Sequence, residues 1–160
     1  MYYRVTGGES HTGGNRREAN RGAMKALVEG GTIPGLIGYQ DGEPIGWVSL
    51  GPREEYRRLE NSRVMAAVDD KRVWSIICFV VPSAHRRQGV ARALLRGAIA
   101  HARSKGAAML EAYPVDPKKT DADAYWFGTR SMYDAEGFVE VARRSPGRPV
   151  MRKALRPARG

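Results

Sequence analysis

The stretch that decides the fold reads Cys78-Phe-Val-Val-Pro-Ser-Ala-His-Arg-Arg-Gln-Gly-Val-Ala-Arg-Ala-Leu-Leu95. It joins an apolar, β-branched segment at 73–81 to a helical pattern at 89–105 through a basic loop. The segment 73–81 predicts a central strand buried on both faces. The N–H groups of a helix's first turn have no intrahelical partner, and the helix dipole adds positive charge there. Because Gly89 and Ala91 let a ligand approach the backbone closely, this junction suits a diphosphate.

The sequence on either side of this stretch predicts one mixed sheet. A strand at 108–113 follows the helix, and strand, helix and strand together form a βαβ unit with parallel pairing. The order of the elements predicts an α+β domain with helices flanking the sheet. Before the central strand, the sequence predicts a strand at 2–5, a helix at 15–29, hairpin strands at 36–39 and 45–50 around Asp41-Gly42, a break at Gly51-Pro52 and a charged helix at 53–65. Asn15 would cap the helix at 15–29, whose buried face would carry Ala19, Ala23, Met24, Leu27 and Val28. After the βαβ unit, it predicts a loop at 114–121, a helix at 122–136, and closing strands at 138–143 and 150–154.

The composition excludes several classes of protein. The 160 residues suit one domain, taken here as 1–160 with a frayed tail at 156–160, and 42% of them are hydrophobic against 28% charged, a soluble globular balance. The longest apolar stretch, at 76–82, is far shorter than the roughly 20 residues of a membrane helix. A single cysteine, Cys78, and three scattered histidines disfavour a disulfide and a structural metal. With no signal-peptide pattern at the start, we expect a cytoplasmic protein without metal.

The formal charge of +10 suits nucleic acid, an anionic cofactor or an acidic partner. However, the basic residues are spread along the whole chain, a distribution more typical of a solvated surface than of a binding stripe. Binding to nucleic acid is therefore not expected.

The basic loop also resembles a known motif. Neither Gly-x-Gly-x-x-Gly nor a P-loop pattern is present, which disfavours a Rossmann dinucleotide site and a P-loop nucleotidase. Arg86-Arg87-Gln88-Gly89-Val90-Ala91 resembles motif A of the GNAT N-acetyltransferases, Arg/Gln-x-x-Gly-x-Gly/Ala. Ser131-Met-Tyr-Asp-Ala-Glu-Gly-Phe138 resembles the family's Leu-Tyr-x-x-x-Gly-Phe, and Pro149-Val-Met-Arg-Lys-Ala-Leu155 resembles its last strand. The resemblance covers 36–155 and is strongest over 73–138.

The resemblance implies an acetyl-CoA site and an activity. The sheet would splay beside strand 73–81, where main-chain groups of Phe79 and Val81 would bind the acetyl and pantetheine parts. Tyr133 would protonate the departing thiolate. The chain would transfer acetyl by direct attack, in a ternary complex, to a primary amine of an unidentified small-molecule or protein acceptor. The pyrophosphate would be cradled by backbone N–H groups of Arg86, Arg87, Gln88, Gly89, Val90 and Ala91.

Each of these residues also has a plain structural explanation. The side chains of Phe79 and Val81 suit core packing, Arg86 and Arg87 suit a solvated loop, and Tyr133 suits a helix residue packed on the sheet.

The sequence does not identify the general base that would accept the proton of the amine. Ser75 occupies the position where some family members carry a glutamate, and a serine without a histidine partner is a poor base. Asp69, Asp70, Glu111 and Asp116 are candidates, although each is more typical of a cap, turn or surface carboxylate. A water chain or an already neutral amine would remove the need for a side-chain base.

Two roles for the aromatic residues around the 114–121 loop are equally open. Four aromatic residues either wall an acceptor pocket or fix the 114–121 loop to the core: Tyr113, Tyr125, Trp126 and Phe127. The fold could serve as an acyl-CoA-binding module with weak or lost catalysis, or as a basic nucleic-acid-associated protein. A homodimer is compatible with the sequence.

Overall fold

The computed structural model describes Arg4, residues 16–116 and residues 126–155. A six-stranded sheet runs in the order β1-β2-β3-β4-β6-β5. Strands β3 and β4 are parallel, and the other neighbouring strands are antiparallel. The strands are β1 Gly35–Gln40, β2 Glu43–Pro52, β3 Trp74–Val80, β4 Met109–Ala112, β5 Val139–Ser145 and β6 Arg148–Ala154.

The residues that the structure describes form four α-helices beside the sheet, and the predicted α+β class with a mixed sheet is confirmed. In the described ranges no helix is long and apolar enough to cross a membrane, and no group of three or more acidic, His or Cys side chains is placed to hold a metal ion. The helices are α1 Arg16–Glu29, α2 Arg57–Glu60, α3 Val90–Ser104 and α4 Arg130–Ala135.

Helix α3 lies against β1 and β2 because two strand glycines make room for it. A Cβ on Gly46 would lie 3.0 Å from side-chain atoms of both Val90 and Leu94, and one on Gly38 would lie 3.2 Å from Leu94. The apolar face of α3 lies against the sheet: Ala91 is half-buried, and the buried residues are Val90, Leu94, Leu95, Ala98, Ile99 and Ala102. This packing holds the first turn of α3 beside the end of β3.

The predicted helix at 53–65 is wrong. Only a 3-10 turn at Arg53–Glu55 and the short α2 form there. The Arg53 guanidinium donates to Glu111 Oε1 of β4 at 2.9 Å and to the Met65 carbonyl at 2.7 Å, and the Met65 N–H donates to Ser62 Oγ at 3.0 Å. The Met65 N–H, which a continuous helix would have bonded to a backbone carbonyl, is thus satisfied by a side chain.

The predicted helix at 122–136 is also too long within the described residues. Residues 126–129 are not α-helical, and α4 begins at Arg130. Gly128 has φ +79° and Thr129 is extended, so neither backbone conformation can continue a helix. Gly137, with φ +78°, follows the end of α4.

Smaller differences concern exposure and strand ends. The expected break at Gly51-Pro52 is absent, because β2 continues through Pro52. Strand β3 is not buried on both faces to its end, since the Val80 side chain is 52% exposed. Of the predicted α1 face, Ala23, Met24 and Leu27 are half-buried, whereas Ala19 and Val28 are exposed. The strand at 2–5 apart from Arg4, the Asn15 cap and the tail at 156–160 lie outside the described residues.

Candidate active site

Strands β3 and β4 separate soon after they meet. They pair over three registers, Trp74 with Leu110, Ser75 with Glu111 and Ile76 with Ala112. Beyond this point β3 keeps its antiparallel partner β2 as far as Val80. In the described part of the chain, no strand pairs with the opposite edge of β3 after Ile76, so that edge borders a gap.

Two local features produce the separation. A β-bulge interrupts the pairing of β2 with β3, where Ser49 faces Cys78 and Leu50 faces Ile76, so that Ile77 is the extra residue. On the other side, the chain after β4 turns to a different partner. The Val115 N–H donates to the Gly128 carbonyl at 3.0 Å, and its own carbonyl accepts from the Arg130 N–H at 3.0 Å.

The gap forms a cleft of about 860 Å³. It is lined by residues 78–81, at and just after the end of β3, by the loop and first turn of α3, and by Trp126 and Met132 on the opposite wall. The walls are mainly apolar along β3 and cationic around the loop, where Arg86, Arg87 and Arg92 line the cleft. An elongated ligand with an apolar arm and an anionic end would suit this distribution.

The first turn of α3 presents backbone N–H groups at the cleft. Its first intrahelical bond runs from the Ala93 N–H to the Gly89 carbonyl, at 3.0 Å. The N–H groups of Val90, Ala91 and Arg92 therefore precede the helical ladder, and all three residues line the cleft. Gly89 has φ +82°, a conformation that glycine adopts without strain.

The loop before α3 is held by its own side chains. Arg86 Nε donates to the Val81 carbonyl at 3.0 Å, and Gln88 Nε2 donates to the Ala84 carbonyl at 2.7 Å. The structure brings every predicted cofactor residue except Gln88 to the cleft lining, a set made up of Phe79, Val81, Arg86, Arg87, Gly89, Val90 and Ala91.

Tyr133 lies beside the cleft, but its hydroxyl is enclosed. The side chain is fully buried, its O–H donates to the Phe127 carbonyl at 3.0 Å, and its ring meets that of Phe138 edge-on at 5.0 Å. Burial, and secondarily the nearby Cys78, raises the pKa of Tyr133 above its usual value, so the phenol is protonated at neutral pH. The preceding residue, Met132, is the one that lines the cleft.

The four carboxylates that were candidates for the general base lie outside the cleft lining. Glu111 is fully buried, accepting from Arg53 at 2.9 Å and from Arg152 at 2.7 Å. Asp69 accepts from Arg152 at 2.8 Å, and this bond lowers the pKa of its carboxyl. None of Glu111, Asp69, Asp70 and Asp116 lines the cleft.

Of the four aromatic candidates, Tyr113 and Phe127 are buried in the core, and Tyr125 lies outside the described residues. Trp126 lines the cleft and is 52% exposed.

A charged clamp joins α3 to the end of α4. Arg92 Nε and Arg96 Nε donate to the same Glu136 oxygen at 2.9 and 2.8 Å. These bonds lower the pKa of the Glu136 carboxyl. Lys153 Nζ donates to the Glu136 carbonyl at 2.7 Å. The clamp connects the cleft residue Arg92 to the wall that carries Met132.

Sequence reasoning missed several lining residues. Cys78 and Val80 line the cleft as well as Phe79 and Val81, because the cleft lies along the edge of β3 that β4 leaves after Ile76 and is bordered by residues of both faces. His85, just before the basic loop, is half-buried and lines the cleft. The motif spacing could have suggested His85, which immediately precedes the basic loop, but no local pattern marks Met132.

Solved structures of other proteins share this fold. A putative GNAT acetyltransferase from Desulfovibrio desulfuricans has 17% identity, with 92% of this chain and 87% of that chain covered and a TM-score of 0.58. The ribosomal-protein-alanine N-acetyltransferase from Brucella melitensis has 21% identity, coverage of 86% and 78%, and a TM-score of 0.54. The NatC complex bound to Gag peptide and CoA contains a chain with 14% identity, coverage of 84% and 79%, and a TM-score of 0.56.

No curated protein matches the chain significantly by sequence. The model of the acetyltransferase (GNAT) family, however, matches residues 11–128, which is most of the chain. The matched region includes the splayed end of β3, the basic loop and all of α3. Its members are N-acetyltransferases, and the six-stranded mixed sheet agrees with their structures. The chain therefore belongs to the GNAT family of acetyltransferases.

Proposed function

We propose that this chain transfers an acetyl group from acetyl-CoA to a primary amine, and that the cleft beside β3 is the site of transfer. The main observation behind the proposal is that the backbone edge of β3 and the first N–H groups of α3 border the same cleft. The edge of β3 beyond Ile76 faces the cleft, and so do the first N–H groups of α3.

The cleft has the features that acetyl-CoA requires. Anions bind favourably at a helix N-terminus, and Val90, Ala91 and Arg92 offer their N–H groups there. Arg86 and Arg87 add positive charge at the same end. The apolar side chains of Val81 and Met132 suit the pantetheine arm, whose amides would bond the main chain of Phe79 and Val81.

Acetyl-CoA supplies an activated carbonyl, and the amine attacks it directly when both are bound. A main-chain N–H of β3 would stabilise the negative charge that develops on the carbonyl oxygen. No carboxylate of the four candidates lines the cleft, so the proton of the amine would leave through water or before binding.

The proton for the departing thiolate is proposed to come from Tyr133. Its phenol is protonated, and the neighbouring residue Cys78 lines the cleft. The hydroxyl would have to exchange its Phe127 carbonyl partner for the sulfur, so the role requires a small local movement. If Tyr133 serves only to pack α4 on the sheet, the thiolate leaves unassisted.

The acceptor is proposed to be a small-molecule or protein amine that enters near Trp126, the exposed aromatic residue of the cleft. A panel of amino acids, polyamines, aminoglycosides and peptides with free N-termini, each incubated with acetyl-CoA, should release the CoA thiol with at least one member. Binding of acetyl-CoA without release for any amine would instead favour an acyl-CoA-binding module. Absence of both binding and release would contradict the proposal.

A further inference from the structure

The vertex at which β3 and β4 separate is closed by a buried tyrosine. Tyr113 directly follows β4, and its side chain is fully buried. Its hydroxyl donates to Glu111 Oε1 at 2.6 Å and lies 3.0 Å from Ser75 Oγ. Because the single phenolic proton goes to Glu111, the Ser75 hydroxyl is the donor in the second bond.

These bonds connect the two diverging strands. Ser75 of β3 and Glu111 of β4 are register partners, one pair before the last one that the strands make. Tyr113 lies on the chain that departs toward Gly128, yet its hydroxyl reaches back to both strands. The Tyr113 ring packs with Ile77, the bulged residue, in one buried cluster. The ring therefore fills the space at the vertex, and the hydroxyl fixes the ring to β3.

The carboxylate that anchors this tyrosine is itself fixed. Glu111 is held between Arg53, from the 3-10 turn after β2, and Arg152 of β6. In the described part of the chain, no buried side-chain nitrogen or oxygen lacks a hydrogen-bond partner. A fully satisfied buried network of this kind allows one arrangement and resists displacement.

We propose that Tyr113 is a positioning residue, which together with Ser75 and Glu111 sets the width of the cleft at its closed end. The inference rests on the proposed function, because it assigns that end of the cleft to the pantetheine arm of acetyl-CoA. The pyrophosphate end, at α3, depends on a separate loop that bonds to itself. Loss of the Tyr113 hydroxyl should therefore affect one end of the ligand and spare the other.

Isothermal titration calorimetry with two ligands measures binding at the pantetheine end of the cleft separately from binding at the pyrophosphate end. Acetyl-CoA occupies both, whereas 3′-phospho-ADP has the pyrophosphate and lacks the pantetheine arm. In Tyr113→Phe we expect the Kd of acetyl-CoA to rise roughly tenfold and that of 3′-phospho-ADP to stay within about twofold. Ser75→Ala removes the other half of the bond and should act in the same direction. In the double variant the two effects should not add, because they remove one interaction.

Tyr56→Phe is the matched control. Tyr56 is 1% exposed, belongs to the same buried cluster as Tyr113, and places its hydroxyl 3.2 Å from the strand residue Ser49. Neither tyrosine lines the cleft, but the Tyr56 hydroxyl bonds to a residue of β2, whereas that of Tyr113 bonds to both strands at the point where β3 and β4 separate. The control should lose stability as Tyr113→Phe does and keep the parent's affinity for both ligands.

Three outcomes would overturn the inference. Unchanged acetyl-CoA affinity in Tyr113→Phe would show that the bond does not set the cleft. An equal loss for both ligands, or the same loss in Tyr56→Phe, would indicate general destabilisation. A parent protein that binds neither ligand would contradict the proposed function itself, and the inference would fail with it. If Tyr113→Phe does not fold, Ser75→Ala provides the same comparison.

Discussion

Replacing Gly89 with alanine tests the phosphate-binding role of the first turn of α3. Gly89 has φ +82°, and a Cβ built on it meets no atom within 4 Å. The substitution therefore causes no clash within the protein, and its cost to folding comes from the left-handed backbone. That cost is about 1 kcal/mol, which corresponds to a fall in Tm of roughly 2–4 °C for a chain of this size.

The expected effect on ligand binding is larger. Gly89 lines the cleft, so the added methyl group would stand where a pyrophosphate approaches the N–H groups of the first turn. Loss of one hydrogen bond to a charged group costs about 1.5–3 kcal/mol, equivalent to a fall in affinity of at least about tenfold. Isothermal titration with acetyl-CoA measures this fall directly.

Gly106→Ala provides a matched control at the other end of the same helix. Gly106 has φ +77°, and a Cβ there also meets nothing within 4 Å. Both variants should therefore lose similar stability, while only Gly89→Ala loses affinity for acetyl-CoA. Equal affinities in the two variants would refute the assignment of the pyrophosphate to this turn.

Three further predictions concern side chains. Tyr133→Phe should lower turnover by roughly 10²–10⁴-fold with acetyl-CoA affinity nearly unchanged, once the amine panel has supplied an acceptor; turnover within about threefold of the parent would exclude the acid role. Glu111→Gln should lower the free energy of unfolding in urea by about 3–5 kcal/mol, because it leaves the guanidinium groups of Arg53 and Arg152 without their buried carboxylate. A loss of activity at full stability would contradict this. The folded-state pKa of Glu136 is depressed, so its stabilising contribution is present above its usual pKa and is lost as the pH falls through the folded value. Glu136→Gln should therefore show a smaller loss of stability on acidification than the parent does, and an unchanged acid limb would contradict the clamp.

The sequence predicted the elements that are governed by local patterns. Helix α3 has a strong apolar periodicity and glycines at both ends, and the Asp41-Gly42 turn adopts positive φ at both residues. Strand β3 was predicted within one residue at each end because a β-branched apolar run is typical of a central strand. The motif before α3 also predicted which loop would face the cleft.

Features that depend on residues far apart in the sequence could not be predicted from local sequence patterns. Arg53, the first residue of the predicted helix at 53–65, bonds to Glu111, which is 58 residues away in sequence. The pairing of β3 with β4 ends at Ile76, so residues of both faces of β3 border the cleft, which simple alternation does not foresee. Trp126 and Tyr113 are both aromatic residues near one loop, and only tertiary packing places the first at the cleft and the second in the core.

The most direct test of the proposed function is a crystal structure of the protein with acetyl-CoA. We expect pyrophosphate oxygens within hydrogen-bond distance of the N–H groups of Val90, Ala91 and Arg92, and the pantetheine arm along residues 78–81, at and just after the end of β3. A pyrophosphate bound away from α3, or an arm that does not enter the cleft between β3 and the wall carrying Met132, would contradict it.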